Sequence, residues 1–317
     1  MFLRPAPMHI PDGFLSTLVS IAFWVVSVAA LAYALRRTGK DLGERQVPLM
    51  GVLAAAIFAG QMLNFSVTGG TSGHLMGAAL ATILVGPWPA VVVMTTVVSI
   101  QALVFQDGGL LALGANLFNM AVIGVAVSFF VYTSLRRVTR NAVWGLFVSG
   151  FAAAWSSIVI ASLAAALQLA LSATSPANLA VPAMGGIHAL IGVGEGLITV
   201  GALAFLQATR RELVGAAHAA AKGGAGMWAL GLGIALLLSV FSPLASANPD
   251  GLEWVAEQAG FLDAARAPLF NLIPDYVFPG ISNQALATIV AGIVGTLIVF
   301  GVVVAVAYLR RRRKATA

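Results

Sequence analysis

The chain contains no cysteine and very little charge. Without cysteine, its 317 residues can form no disulfide, thiolate metal site or thiol nucleophile. Only 9% of the residues are charged and 60% are apolar, and a soluble domain of this length does not cover its surface with so few charges. The composition therefore predicts an integral membrane protein.

Two enzyme signatures are also absent. The sequence has no G-x-x-x-x-G-K-[ST] motif, so it cannot bind ATP by a P-loop, and no H-E-x-x-H motif of the zinc proteases. Few charges interrupt its apolar stretches, unlike the relay chains of proton-coupled carriers. We therefore expect a protein that is not itself an enzyme and that draws its energy from a partner.

The basic residues mark the topology. All Lys and Arg residues except Arg4 and Arg266 fall into four clusters, and each cluster follows an apolar stretch. Basic loops stay on the cytoplasmic side of a membrane, which also accounts for the net charge of +6 without a nucleic-acid partner. An all-α fold of nine spans, with the N-terminus outside and the C-terminus cytoplasmic, satisfies all four clusters. Two compensating errors in this count would fall most easily at the short third and fourth spans. The predicted spans are 14–35, 47–65, 74–85, 90–105, 110–135, 143–171, 185–208, 227–245 and 285–309.

The spans divide into a body and a hairpin. Residues 8–208 are predicted to form a seven-span body, 209–226 a cytoplasmic linker, and 227–317 a two-span hairpin without histidine. The hairpin encloses an acidic outer segment, 246–283, in which Asp250 begins a short amphipathic helix with capping-box spacing. The acidic segment either raises the local cation concentration or forms a solvated, capped helix.

Three histidines fall on the outer side of this topology, and the fourth, His218, falls in the inner linker. Imidazole suits nickel, copper, zinc and cobalt, whereas a single histidine is more simply satisfied by backbone carbonyls. His9, His74 and His188 together favour a metal site. Glu195, the only acid inside a predicted span, shares a helix face with His188 and is a functional candidate by its depth.

His9 offers a further possibility. If the functional chain starts at Met8, its amine, the deprotonated amide of His9 and a ring nitrogen of His9 can chelate one ion in a plane. A nitrogen of His74 would complete the square, which favours Ni(II) or Cu(II). In the chain as numbered, Met8 has no free amine. Asn64 flanks His74, and Asp107 before two glycines is either an outer gate or a tight turn.

Four stretches resemble a known family. They are 8–16 (MHIPDGFLS), 64–75 (NFSVTGGTSGHL), 100–116 (IQALVFQDGGLLALGAN) and 186–199 (GIHALIGVGEGLIT). They resemble the CbiM/NikM family, the substrate-specific components of energy-coupling-factor (ECF) cobalt/nickel transporters, over residues 8–208. The remainder resembles the small NikN/CbiN-like partner subunit with its PDGLE motif, here fused in one chain.

The resemblance implies a subunit of an ATP-driven nickel or cobalt importer in a prokaryotic plasma membrane. The implied partners are a transmembrane scaffold subunit and two cytoplasmic ATPases; the ion is cargo, and no cofactor is implied. The implied metal ligands are Met8, His9 and His74, and the family positions near them are Asn64, His188 and Glu195. The alternative from another class is a stand-alone secondary carrier for divalent cations.

Overall fold

The computed structural model describes residues 9–41, 46–214 and 225–315; Met8, His218 and most of the predicted linker lie outside these ranges. The described chain is mostly helical, with irregular connections and one antiparallel two-stranded sheet. Its elements are α1 (Thr17–Asp41), α2 (Gln46–Gln61), β1 (Phe65–Val67), β2 (Thr71–Gly73), α3 (Ala78–Val85), α4 (Pro87–Val104), α5 (Leu113–Leu117), a π-helical turn (Phe118–Ile123), α6 (Gly124–Val138), α7 (Val143–Leu171), α8 (Ala177–Thr209), α9 (Ala225–Val240), α10 (Gly251–Ala259) and α11 (Gln284–Ala315).

The membrane character of the fold is confirmed. Within the described ranges, six helical stretches are long and apolar enough to cross a membrane, namely α1, α4, 113–138, α7, α8 and α11. The predicted second, third and eighth spans correspond to α2, α3 and α9, which have 16, 8 and 16 residues. A straight span needs roughly 20 residues, so the count of nine remains a prediction.

Two helix starts differ from the predicted ones. α8 begins at Ala177, eight residues before the predicted span 185–208, and includes Pro182; neighbouring helices make proline tolerable inside membrane helices. α4 begins at Pro87, three residues before the predicted span 90–105. Proline suits the first turn of a helix because its missing N–H is one that a helix leaves unpaired there.

The helices of the hairpin pack closely against α2. A methyl group on Gly51 of α2 would lie 2.5 Å from a Val304 methyl of α11, and one on Gly231 of α9 would lie 2.6 Å from Val52. Small residues allow helices to approach closely in lipid. The hairpin is therefore joined to the body along its length, and the segment 246–283 between α9 and α11 lies over one end of the body helices.

Candidate metal centre

Three of the four histidines line one cavity. His9 precedes α1, His74 follows β2, and His188 lies in α8; the cavity between them has a volume of about 90 Å³. The beginning of α10 forms another part of its wall, through Asp250 and Gly251. Four separate parts of the chain thus meet at this cavity.

The segment carrying His9 is clasped by the loop before α5. The Asp107 carboxylate accepts a hydrogen bond from Nδ1 of His9 at 2.8 Å. The Asn116 side chain pairs with both the N–H and the carbonyl of Ile10, each at 3.1 Å. Asp12 in turn accepts hydrogen bonds from the backbone N–H groups of residues 110, 111 and 112. These contacts fix the backbone on both sides of His9.

A β-hairpin and a buried acid position His74. Residues 65–67 pair with residues 71–73, and His74 follows directly. The fully buried carboxylate of Glu195 accepts hydrogen bonds from the backbone N–H groups of Met76 at 2.7 Å and Gly77 at 3.0 Å. Glu195 therefore does not line the cavity but anchors the chain just after His74.

The three histidines share one hydrogen-bonding pattern. Nδ1 of His9 faces the Asp107 carboxylate, Nδ1 of His74 faces the carbonyl of Leu75 at 3.0 Å, and Nδ1 of His188 faces that of Met184 at 2.8 Å. Because these oxygens only accept, Nδ1 is the donor and Nε2 carries the lone pair of each neutral ring. Metal-binding histidines commonly have such a partner on the other ring nitrogen. Nε2 of His9 is buried and makes no hydrogen bond within the described chain.

The described side chains do not by themselves complete a metal site. The rings of His9 and His74 have centroids 6.0 Å apart, which is near enough for both to approach one ion. Within residues 9–41, 46–214 and 225–315, no three His, Asp or Glu side chains are already grouped as ligands. A full donor set therefore needs a further group, such as a backbone or terminal nitrogen, or a closing movement.

The outer segment is attached to the hairpin before His74. The Pro249 carbonyl accepts hydrogen bonds from Ser72 N at 2.8 Å and from the Thr71 hydroxyl at 3.0 Å. The Ser72 hydroxyl donates to the carbonyl of Asn248 at 2.8 Å. Asp250, which follows, caps α10 by accepting from the backbone N–H of Glu253 at 2.7 Å. This pairing places the Asp250 side chain at the cavity.

The outer segment also reaches His9, through a tyrosine. The buried Tyr276 hydroxyl donates to the second oxygen of Asp107 at 2.6 Å, and its ring stacks on Phe105 at 4.7 Å. Asp275 and Tyr276 both have positive φ, 52° and 57°, a conformation that is uncommon without glycine. The surrounding contacts hold the hydroxyl against Asp107 despite this cost.

Burial and neighbouring charges shift the pKa values of three groups near the cavity. For His9, burial lowers the pKa, but the charge and hydrogen bond of Asp107 outweigh it and the net pKa is raised above 6.5. Burial raises the pKa of Asp250 from 3.8 to about 7. Burial and the neighbouring Asp107 raise the pKa of Tyr276 well above 10. The Tyr276 hydroxyl therefore keeps its proton and remains a donor at neutral pH.

The predicted site residues separate into distinct positions. The cavity brings together His9, His74 and His188. Asp107 instead contacts the His9 ring, and Glu195 contacts the chain after His74. Asn64 does not line the cavity; its carbonyl accepts from the Ser246 N–H at 2.7 Å.

Sequence reasoning missed three contacts. For Asp250 the capping-box spacing indicated a helix start but not its neighbours, and Asn116 lies inside a stretch quoted only for its resemblance. Tyr276 has no local signal, because only the fold brings it to Asp107.

Comparisons with known proteins agree with this architecture. The model of the CbiM family, described as the cobalt uptake substrate-specific transmembrane region, matches residues 9–213, and the PDGLE domain model matches 225–312. A putative fused nickel transport protein NikMN of Archaeoglobus fulgidus is 38% identical over 92% of this chain and 95% of its own length. A cobalt transport protein CbiM of Sorangium cellulosum is 34% identical over 65% of this chain and 94% of its own.

Solved structures resemble the body. One described as a truncated transition metal transporter is 33% identical, with a TM-score of 0.57, over 63% of this chain and 99% of that chain. A second, a transition metal transporter, has the same identity and TM-score over 65% of this chain and 95% of that chain. The chain belongs to the CbiM family of substrate-specific transmembrane proteins for cobalt uptake, and it carries a PDGLE domain after the CbiM region.

Proposed function

We propose that this chain is the substrate-binding membrane subunit of an ATP-driven, ECF-type importer of nickel or cobalt ions in a prokaryotic plasma membrane. The observation that carries the proposal is the cavity lined by three histidines. Each histidine uses Nδ1 as a donor, so Nε2 is left as the ring nitrogen with a lone pair that can coordinate an ion. Imidazole nitrogen suits both ions. The names of the relatives, which refer to nickel and to cobalt transport, support the same cargo.

We assign the ligands to His9, His74 and, in a chain that begins at Met8, the terminal amine. In the chain as numbered, His9 presents Nε2 to the ion; in a chain that begins at Met8, the planar chelate instead uses the amide nitrogen and Nδ1 of His9, which close a six-membered ring. The metal then takes the place of the Nδ1 proton that Asp107 now accepts. Glu195 keeps the chain after His74 in place, while His188 faces the same cavity from α8.

Energy for transport is assigned to partners. The sequence has no P-loop, so we propose a transmembrane scaffold subunit and two cytoplasmic ATPases. We further propose nine spans with the N-terminus outside, a body at 8–208, a linker at 209–226 and a hairpin at 227–317. In this topology the cavity opens toward the outer side, from which an imported ion arrives.

Transport by reconstituted vesicles tests the function. Vesicles containing this chain with scaffold and ATPase subunits should accumulate radioactive nickel or cobalt only when ATP is present on the ATPase side. Vesicles containing the chain alone should not accumulate the ion, with or without an ion gradient. Gradient-driven uptake by the chain alone would instead identify a secondary carrier.

The ligand assignment has its own test. His9→Ala and His74→Ala should each abolish stoichiometric nickel in the purified, folded chain, because each removes a nitrogen donor. His218→Ala, in the predicted cytoplasmic linker, is the matched control and should bind normally. Full nickel occupancy in either cavity variant, measured by elemental analysis, would refute the assignment.

The role of Met8 is tested at the terminus. A chain that begins at Met8 should bind nickel more tightly than one in which mass spectrometry shows that the seven preceding residues are retained. The physical reason is that a peptide N–H is a far poorer ligand than a free amine. Equal affinities in the two chains would leave a site without the amine.

A further inference from the structure

The wall of the cavity is shared between two parts of the chain. Most of it comes from the CbiM region, but Asp250 and Gly251 belong to the PDGLE domain. Gly251 lies so close to His188 that an added methyl group would be 2.8 Å from Cε1 of that ring. The domain boundary in sequence is therefore not a boundary at the site.

The position of Asp250 is fixed by backbone pairing and by helix capping. Ser72, two residues before His74, pairs with Asp250 as a parallel bridge, and its N–H donates to Pro249. One carboxylate oxygen of Asp250 accepts from the Glu253 N–H and so caps α10. The residue is only 5% exposed. Asp250 therefore faces the cavity because of the fold, not because of a mobile loop.

The charges around the cavity suit a divalent cation. The residues described as lining it include three histidines and Asp250 but neither Lys nor Arg. A buried carboxylate is costly unless a positive charge compensates for it. His9, in the same wall, is only 4% exposed, and its Nε2 makes no hydrogen bond within the described chain. The Asp250 carboxylate and Nε2 of His9 are therefore both suited to bind a cation in this cavity.

We propose that Asp250, supplied by the PDGLE domain, is a cation-binding residue of the cargo site. Its carboxylate faces the transported divalent ion across the cavity from His9 and His74 and offsets part of the ion's charge. This inference rests on the proposed function, because it takes the cavity as the place where nickel or cobalt binds. It makes full affinity of the cavity a property of both domains together.

Substitutions that keep the helix cap isolate the charge. Asp250→Asn and Asp250→Ser both retain a side-chain oxygen that caps helices well, so α10 should stay formed. Glu257→Gln, an exposed acid of the same helix, is the matched control. Nickel binding is measured by calorimetry on the full chain in detergent, with thermal unfolding measured on each sample.

We expect both Asp250 variants to bind nickel roughly ten- to a hundredfold more weakly, the range typical of groups that support a metal site. Their unfolding temperatures should match the wild type, and Glu257→Gln should bind normally. Unchanged affinity in Asp250→Asn, with binding by the wild type, would overturn this inference and leave the proposed function intact. An equal loss in Glu257→Gln would also overturn it, since general surface charge would then explain the effect. A wild type that binds neither nickel nor cobalt would refute the proposed function itself.

Discussion

At the scale of single residues, Glu195 illustrates a buried acid that is used for structure. A carboxylate inside a membrane helix is a functional candidate because burial of its charge is costly. In this fold, Glu195 accepts two backbone N–H groups at the start of α3. Gly77 is the N-cap of α3 and Met76 precedes it, so the carboxylate lies beside a helix N-terminus, where negative charge is favoured. Its role at the site is therefore to hold the chain that follows His74.

Replacing Glu195 with glutamine should weaken both the fold and the site. A glutamine oxygen can accept one of the two N–H groups, but its NH₂ group would meet the other donor. Leaving a buried donor unsatisfied costs about 1–3 kcal/mol, so we expect a lower unfolding temperature and weaker nickel binding. Thermal unfolding and calorimetry of Glu195→Gln measure the two effects.

The control for this prediction is Glu257→Gln, which makes the same chemical change at an exposed position. It should leave the unfolding temperature unchanged. If Glu195→Gln unfolds at the wild-type temperature, the two backbone hydrogen bonds do not carry the role assigned to them.

The sequence predicted part of the site at this scale. His9, His74 and His188 could be placed on one side because basic clusters and apolar stretches define sidedness. Asp250 and Tyr276 could not be placed, since neither sidedness nor periodicity tells which outer loops touch. Tyr276 is separated from its partner Asp107 by 169 residues, and only packing of the whole fold brings the pair together.

At the scale of elements, the loop before α5 is shaped to fit the segment around His9. Gly108 has φ +96°, a conformation that side chains rarely adopt, and an added methyl group would lie 2.8 Å from Cβ of His9. The next residue, Gly109, donates its N–H to the carbonyl of Ile10 at 3.0 Å. The glycines thus allow the loop to lie directly against the segment that carries His9.

A pair of glycines tests this fit. Gly108→Ala and Gly69→Ala place a methyl group at the same φ of +96°, but only Gly108 has neighbouring atoms within 4 Å. The backbone strain is therefore similar in the two variants, and the contact with His9 differs. We expect Gly108→Ala to reduce nickel affinity by roughly tenfold, as for displaced supporting groups, and Gly69→Ala to bind nearly normally.

Nickel titrations of the two variants, each with its unfolding curve, check this expectation. Similar affinities in both would mean that the loop can shift to accept the methyl group. The close approach at Gly108 would then not control the position of His9.

Helix boundaries were predictable where the apolar run ended in clear breakers. α7 extends over Val143–Leu171, as predicted, because a basic cluster precedes it and serine follows it. α8 starts eight residues before the predicted span 185–208, because packing accommodates Pro182 inside the helix. The periodicity of the sequence does not report such tertiary compensation.

At the scale of the whole molecule, the distribution of basic residues should set the orientation. The clusters lie in or just after the last turns of α1, α6, α8 and α11, so the rule predicts that the C-terminal ends of these four helices share one side. The cavity, α10 and the loop around Asp107 lie together at the other side. If the positive-inside rule holds here, the cavity faces outward and the hairpin covers it from the outside.

Single cysteines can test this orientation without background, because the natural chain has none. Ala259→Cys places a thiol at the exposed end of α10, and Thr209→Cys places one at the exposed end of α8. In sealed spheroplasts, a membrane-impermeant maleimide should label the first variant and not the second. The reason is that the basic cluster beside residue 209 should remain cytoplasmic. Opening the membrane should make Thr209→Cys reactive as well, which controls for accessibility.

Labelling of Thr209→Cys in sealed spheroplasts, with Ala259→Cys protected, would show that the topology is the inverse of the predicted one. The cavity would then face the cytoplasm, and an importer would have to receive its ion by another route.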